Sequence, residues 1–171
     1  VAAFMAAVAA TGYDGYLSLE IFNDQFRGGS PKSIARDGRR SLVMLADRIA
    51  NPITGQQSLG GLDITVQRNA FGSQVDSFET RLSVPAVSDD PVHAVFIRAP
   101  AVLQAGPGVD VLASVPAERL ESGVDCGLAT GAVPVAVRQG KLLATSFHPE
   151  VTGDWTFHRY FLTELVGPSQ R

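Results

Sequence analysis

The sequence predicts one mixed domain, α/β or α+β in class, from three observations. A chain of 171 residues suits one compact core rather than two full-sized ones. Its opening 50 residues read as helix, strand, helix, whereas strands outnumber helices in the later two thirds. A single cysteine, Cys126, excludes an internal disulfide framework and a multi-cysteine zinc site, and fits a reducing compartment such as the cytoplasm.

The elements follow in chain order. Val1 to Tyr13 is uncharged and alanine-rich and predicts a buried helix closed by Gly12. From Tyr16 to Phe22 apolar residues alternate with Ser18 and Glu20, which predicts a strand. Ser30 and Pro31 supply an N-cap and a first-turn proline for a helix reaching Ile49, with Leu42, Leu45 and Ile49 on its buried stripe and Pro52 beyond its end. Gly38 weakens that helix by about 1 kcal/mol relative to alanine. Leu62, Ile64 and Val66 mark one strand, Phe78, Leu82 and Val84 a second, His93 to Ile97 a third and Val109 to Ala113 a fourth. Between Val115 and Thr130 the spacing is irregular and predicts a loop. Val133 to Arg138 and Lys141 to Phe147 flank Gln139-Gly140 as a hairpin. A last helix, capped by Asp154, is expected to bury Trp155, Phe161, Leu162 and Leu165 before Gly167-Pro168.

Charge and length remove several functions. With 17 acidic and 14 basic side chains the net charge is -3, and no basic run exceeds Arg39-Arg40, so no nucleic-acid partner is expected. The uncharged opening is shorter than the roughly 20 apolar residues of a spanning helix and lacks the basic start of a secretory signal, so no membrane role is expected. The chain begins with Val, which points to a reading frame that started upstream.

Four constellations could carry chemistry. In Ser146-Phe147-His148-Pro149-Glu150 an imidazole at a strand end has a carboxylate two residues on, able to fix one tautomer for a general base; the same spacing also describes an ordinary loop pair. Arg68 and Arg98 each follow a strand, where a guanidinium could fork onto a carboxylate or simply form a surface ion pair. Glu20 lies near Asn23 and Asp24 but lacks the further ligands of a hard-metal site. Cys126 has no cation near it in sequence to lower its pKa, and reads as incidental. Gly28-Gly29-Ser30-Pro31-Lys32-Ser33 lacks the spacing of a phosphate loop.

The motifs Met44-Leu45-Ala46-Asp47-Arg48-Ile49, Asp63 to Gly72, Gln74 to Glu79, Val95 to Pro100 and Ser146 to Glu150 occur in an order that resembles the glutaminase subunit of pyridoxal 5'-phosphate synthase, over about residues 42–166. The resemblance implies a partial, three-layer, flavodoxin-like class I glutamine amidotransferase fold in residues 42–171. It also implies glutamine hydrolysis by a Cys-His-Glu triad, with ammonia passed to a barrel-shaped synthase subunit, and no cofactor or metal. Carried onto this chain, it makes His148 the base and Glu150 its orienting carboxylate, with Arg68, Ile97 and Arg98 contacting glutamine. The family's Gly-Gly-Glu-Ser loop and Gly-x-Cys-Ala-Gly elbow are not found in the sequence, and the nucleophile's position falls at Arg39. Residues 1–41 form the foreign helix-strand-helix. Within them Gly12 to Asn23 resembles the last strand of xylose isomerase-like sugar phosphate isomerase/epimerase barrels, which would make Glu20 a former metal ligand. A metal-dependent isomerase fragment and a non-catalytic remnant that binds the synthase are therefore the alternatives.

Overall fold

The computed structural model describes residues 40–52, 54, 58, 60–72, 76–124 and 131–166. The expected helix and strand before residue 40, with Glu20, and the loop residue Cys126 lie outside them. The described chain opens with helix α1 (Arg40–Leu45) and strand β1 (Ala46–Ile49). Here the structure corrects the expectation of a helix to Ile49. Ala46 is fully buried opposite Leu62, and the parallel ladder from β1 to β2 (Leu62–Gln67) overrides a local helical spacing. Leu42 still enters the core, as expected, while Leu45 and Ile49 pack at its margin.

Strand β2 shows the strict alternation read from its sequence: Leu62, Ile64 and Val66 are buried, and Asp63, Thr65 and Gln67 face outward. Its other edge pairs antiparallel with β5 (Ala101–Ala105), a strand absent from the sequence expectations, in which no strand is placed between Ile97 and Val109. Strands β3 (Phe78–Val84) and β4 (Ser88–Phe96) form a hairpin. Strands β6 (Asp110–Pro116), β7 (Ala132–Gln139) and β8 (Leu142–Thr145) form an antiparallel meander. Strand β6 runs past the expected Ala113 and takes in Val115 and Pro116. A short 3-10 turn, Ala117–Arg119, follows it. The β7–β8 turn centres on Gly140-Lys141, one residue later than expected, with Gly140 at a φ of 56° that suits glycine.

Strand β7 is the spine of the domain. All five residues from Val133 to Val137 are buried, as befits a strand covered on both faces. Val133, Val135 and Ala136 join a cluster built on Phe71, Phe96, Phe147 and Phe157, while Val137 joins a second cluster with Leu62, Ile64, Val66 and Val102. Pro134 has no N–H for the ladder, and the β6–β7 register shifts between Ala113 and Ser114, beside it.

The described residues close with a 3-10 turn (Pro149–Val151), helix α2 (Thr156–Tyr160) and a π-helical turn (Phe161–Val166). Only Leu165 of the expected buried stripe is buried; Phe161 is half-buried, and Trp155 and Leu162 are 69% and 59% exposed. Phe157 and Tyr160 face inward instead. A regular helix would next turn Glu164 inward, and the wider π turn moves Leu165 there while Glu164 stays exposed. Among the described residues, no helix is long and apolar enough to cross a membrane.

Candidate active site

Beyond β8 the chain is fixed by backbone bonds on both sides. Ser146 N–H donates to the Val135 carbonyl at 2.8 Å, and His148 N–H donates to the Val95 carbonyl of β4 at 2.9 Å. Between them Phe147 is buried, edge-on to Phe96 and Phe157 with ring centroids 5.7 and 5.1 Å away. Pro149, which needs no N–H partner, starts the 3-10 turn that carries Glu150.

This turn folds Glu150 back onto His148, with Nδ1 and Oε1 2.8 Å apart. The ring is 17% exposed and the carboxylate 60%. Partial burial pushes the Glu150 carboxyl up. The hydrogen bond to His148, the carboxyl's own backbone N–H and the charges of His148 and His158 outweigh it, and the net pKa is lowered. An ionised carboxylate on Nδ1 favours the tautomer with the proton there, which leaves Nε2 as a proton acceptor.

Two turns lie at the end of β4. Arg68 and Asn69 open the turn after β2; Asn51 holds it by accepting from Arg68 N–H at 2.8 Å and donating to the Arg68 carbonyl at 3.2 Å. Ile97 and Arg98, both half-buried, open the turn after β4. Phe71 N–H donates to the Ala99 carbonyl at 3.4 Å and joins the two turns. Asn69 and Arg98 are the non-glycine residues with positive φ among those described, at 53° and 46°, one in each turn. Such strain persists only where neighbours over-determine the backbone, and it clusters at functional sites. The Arg98 Nε is buried without a hydrogen-bond partner.

The structure thus brings the segments of all five expected site residues to one end of β4. The His148 amide lies on the Val95 carbonyl, two residues before Ile97, and the turn that begins at Arg68 is bonded beside Arg98. Among the described residues no group of three or more His, Cys, Asp or Glu side chains is placed to hold a metal ion.

Sequence reasoning gave no role to several neighbours. Ser146 is 3% exposed with its Oγ unpartnered. His158 of α2 contributes to the field at Glu150, with its Nδ1 buried and unpartnered. A second imidazole–carboxylate pair, His93 Nε2 to Glu79 Oε2 at 2.8 Å, spans β3 and β4. Its partners are 14 residues apart, and only the strand register brings them together.

Residues 37–167 match the SNO glutamine amidotransferase family. The pyridoxal 5'-phosphate synthase subunit PdxT of Clavibacter michiganensis subsp. michiganensis (strain NCPPB 382) is 57% identical over 121 residues, which are 71% of this chain and 51% of that protein. The PdxT subunit of Leifsonia xyli subsp. xyli (strain CTCB07) is 53% identical over 126 residues, 74% of this chain and 57% of that one. A solved structure, described as the crystal structure of glutamine amidotransferase, superposes with a TM-score of 0.58 at 40% identity and covers 80% of this chain and 69% of its own. The chain spans about half the length of the curated relatives it matches.

Proposed function

The chain belongs to the SNO glutamine amidotransferase family, and from that premise we propose that it is a glutaminase subunit of pyridoxal 5'-phosphate synthase, carrying the base and its orienting carboxylate. The observation that supports this most directly is the 2.8 Å contact between His148 Nδ1 and Glu150 Oε1 on a segment bonded to β4. In this reading Nε2 of His148 takes the proton of an attacking thiol and returns it to the departing ammonia, while Glu150 stabilises the imidazolium between the two transfers. Arg68, Ile97 and Arg98 contact glutamine, and the unpartnered Nε of Arg98 is a donor available to a carboxylate or carbonyl oxygen. The ammonia passes to the barrel-shaped synthase subunit, and the protein works in the cytoplasm.

The nucleophile is the missing part. Arg39 stands at its position and cannot attack an amide carbon, so the chain as written forms no thioester. We place the glutaminase-like domain at residues 42–171, with residues 1–41 as a separate fragment. The isomerase alternative is not favoured, because the family match extends over residues 37–167 and the PdxT relatives align with 71% and 74% of the chain.

The test is ammonia release from glutamine in the presence of the synthase subunit. The chain as given should release none, and a chain with the family's leading segment and Gly-x-Cys-Ala-Gly elbow restored should be active. Activity in the unmodified chain that is lost in His148→Ala would refute the account of Arg39. Inactivity of both, with retained binding to the synthase subunit, would support the non-catalytic remnant.

A further inference from the structure

Glu150 can orient His148 only if the turn beneath it is rigid, because a carboxylate this exposed otherwise exchanges the imidazole for water. Three hydrogen bonds supply that rigidity. The Thr152 hydroxyl donates to the Pro149 carbonyl at 3.0 Å, and the same oxygen accepts Asp154 N–H at 3.1 Å. Asp154 Oδ1 then accepts Thr156 N–H, the first amide of α2, at 2.8 Å. At the other end of the segment the His148 amide is held by Val95. Contacts with Thr156 are the main reason the Asp154 carboxyl lies below its ordinary value; the backbone N–H and charge of His93 add to them, against a smaller opposing effect of burial. Residues 148–154 thus form a strap held at one end on Val95 of β4 and at the other on the first amide of α2.

Resting on the glutaminase reading above, we propose that Thr152 and Asp154 are positioning residues that close this strap and keep Glu150 on Nδ1 of His148. Neither belongs to the expected triad or substrate contacts. Their action runs through the backbone of residues 149–152. Thr152 is suited to the task because its one hydroxyl donates to a carbonyl before Glu150 and accepts an amide after it.

The experiment follows the Glu150 side-chain carboxyl by its carbon chemical shift against pH in the full chain as given. In Thr152→Val and Asp154→Ala the titration midpoint should rise toward the ordinary 4.5, as it should in His148→Gln. Thr152→Ser and Asp154→Asn, which keep the accepting oxygen, should return the midpoint to that of the parent. Near-UV circular dichroism matching the parent identifies the folded variants. Folded Thr152→Val and Asp154→Ala with an unmoved midpoint would overturn the proposal. In the chain with its elbow restored, Thr152→Val should lower kcat by about 10- to 100-fold with KM for glutamine unchanged, the loss expected when a reacting group is misplaced by about an ångström. A restored chain that never hydrolyses glutamine refutes the functional reading instead, and the carboxyl titration still decides the strap.

Discussion

The His148–Glu150 and His93–Glu79 pairs each close at 2.8 Å, yet the ring of His148 is 17% exposed and that of His93 40%. Both depend on β4. His93 belongs to it and reaches across to β3, where Glu79 lies opposite Val95, two residues along from His93's own partner Arg81. His148 docks on its other edge and finds its carboxylate two residues away on the strap. The first pair follows from strand register on an exposed face; the second is held by a buried phenylalanine before it and a closed hydrogen-bonded turn after it. A contact distance alone therefore does not distinguish a base from a surface ion pair. Shelter from water, a fixed backbone and the segments brought alongside are what favour the proposed base at His148.

The largest expected effect separates the two pairs by function. In the chain with its elbow restored, His148→Ala should reduce kcat by about 10²- to 10⁴-fold, the range for loss of a general base, as measured by ammonia release. Glu79→Gln, which removes none of the strap's own hydrogen bonds, should leave kcat within about twofold. Comparable losses in both variants would erase the distinction.

A stability measurement breaks the comparison by removing the support that the pairs share. Phe96 is 1% exposed at the end of β4, stacked on Phe78 at 4.5 Å and tilted or edge-on to Phe71 and Phe147 at 5.4 and 5.7 Å. Phe96→Ala leaves a cavity among Phe71, Phe78 and Phe147 and should cost about 3–5 kcal/mol in urea unfolding. The contacts of both imidazoles should loosen together.

What was legible in the sequence follows the same division. Strict alternation placed Leu62, Ile64 and Val66 correctly, because a half-buried strand writes its pattern residue by residue. The nearness of His148 to Glu150 was legible for a similar reason: two residues separate them, and Pro149 restricts the backbone between. The strap's closure through Thr152 and the pairing of His93 with Glu79 were not, since they depend on a 3-10 turn and on a strand register. Ala46–Ile49 was misread as helix because apolar residues three and four apart fit a helix locally, and only the parallel edge of β2 decides otherwise. The last helix was misphased because nothing in a local pattern marks a π turn that exchanges Glu164 for Leu165.

Acid sharpens the comparison from the side of the strap. Glu150 and Asp154 both have folded-state pKa values below their ordinary 4.5 and 3.8. The stability they contribute is thus complete above about pH 4.5 and is lost as pH falls through their lowered values, where the unfolded chain binds more protons. Urea midpoints measured downward from pH 5 should fall for the parent and fall less steeply for Glu150→Gln. Because Glu150 is well exposed and partly screened by solvent, the difference should be modest. A steeper fall in the variant would mean that the carboxylate is not stabilised by the fold.

The smallest expected effect belongs to the exposed pair. Glu79 and His93 side chains are 64% and 40% exposed, so water competes for both partners and salt screens the charge between them. Glu79→Gln keeps the side chain's length and an oxygen acceptor for Nε2, and removes only the charge. Its cost in urea unfolding at pH 7 should be between zero and about 1 kcal/mol, as for surface ion pairs generally. High salt should shrink that cost further, whereas the Phe96→Ala penalty, which is apolar in origin, should not shrink with it. A cost of several kcal/mol, insensitive to salt, would show that the hairpin pair is as firmly held as the strap, and that exposure does not separate the two.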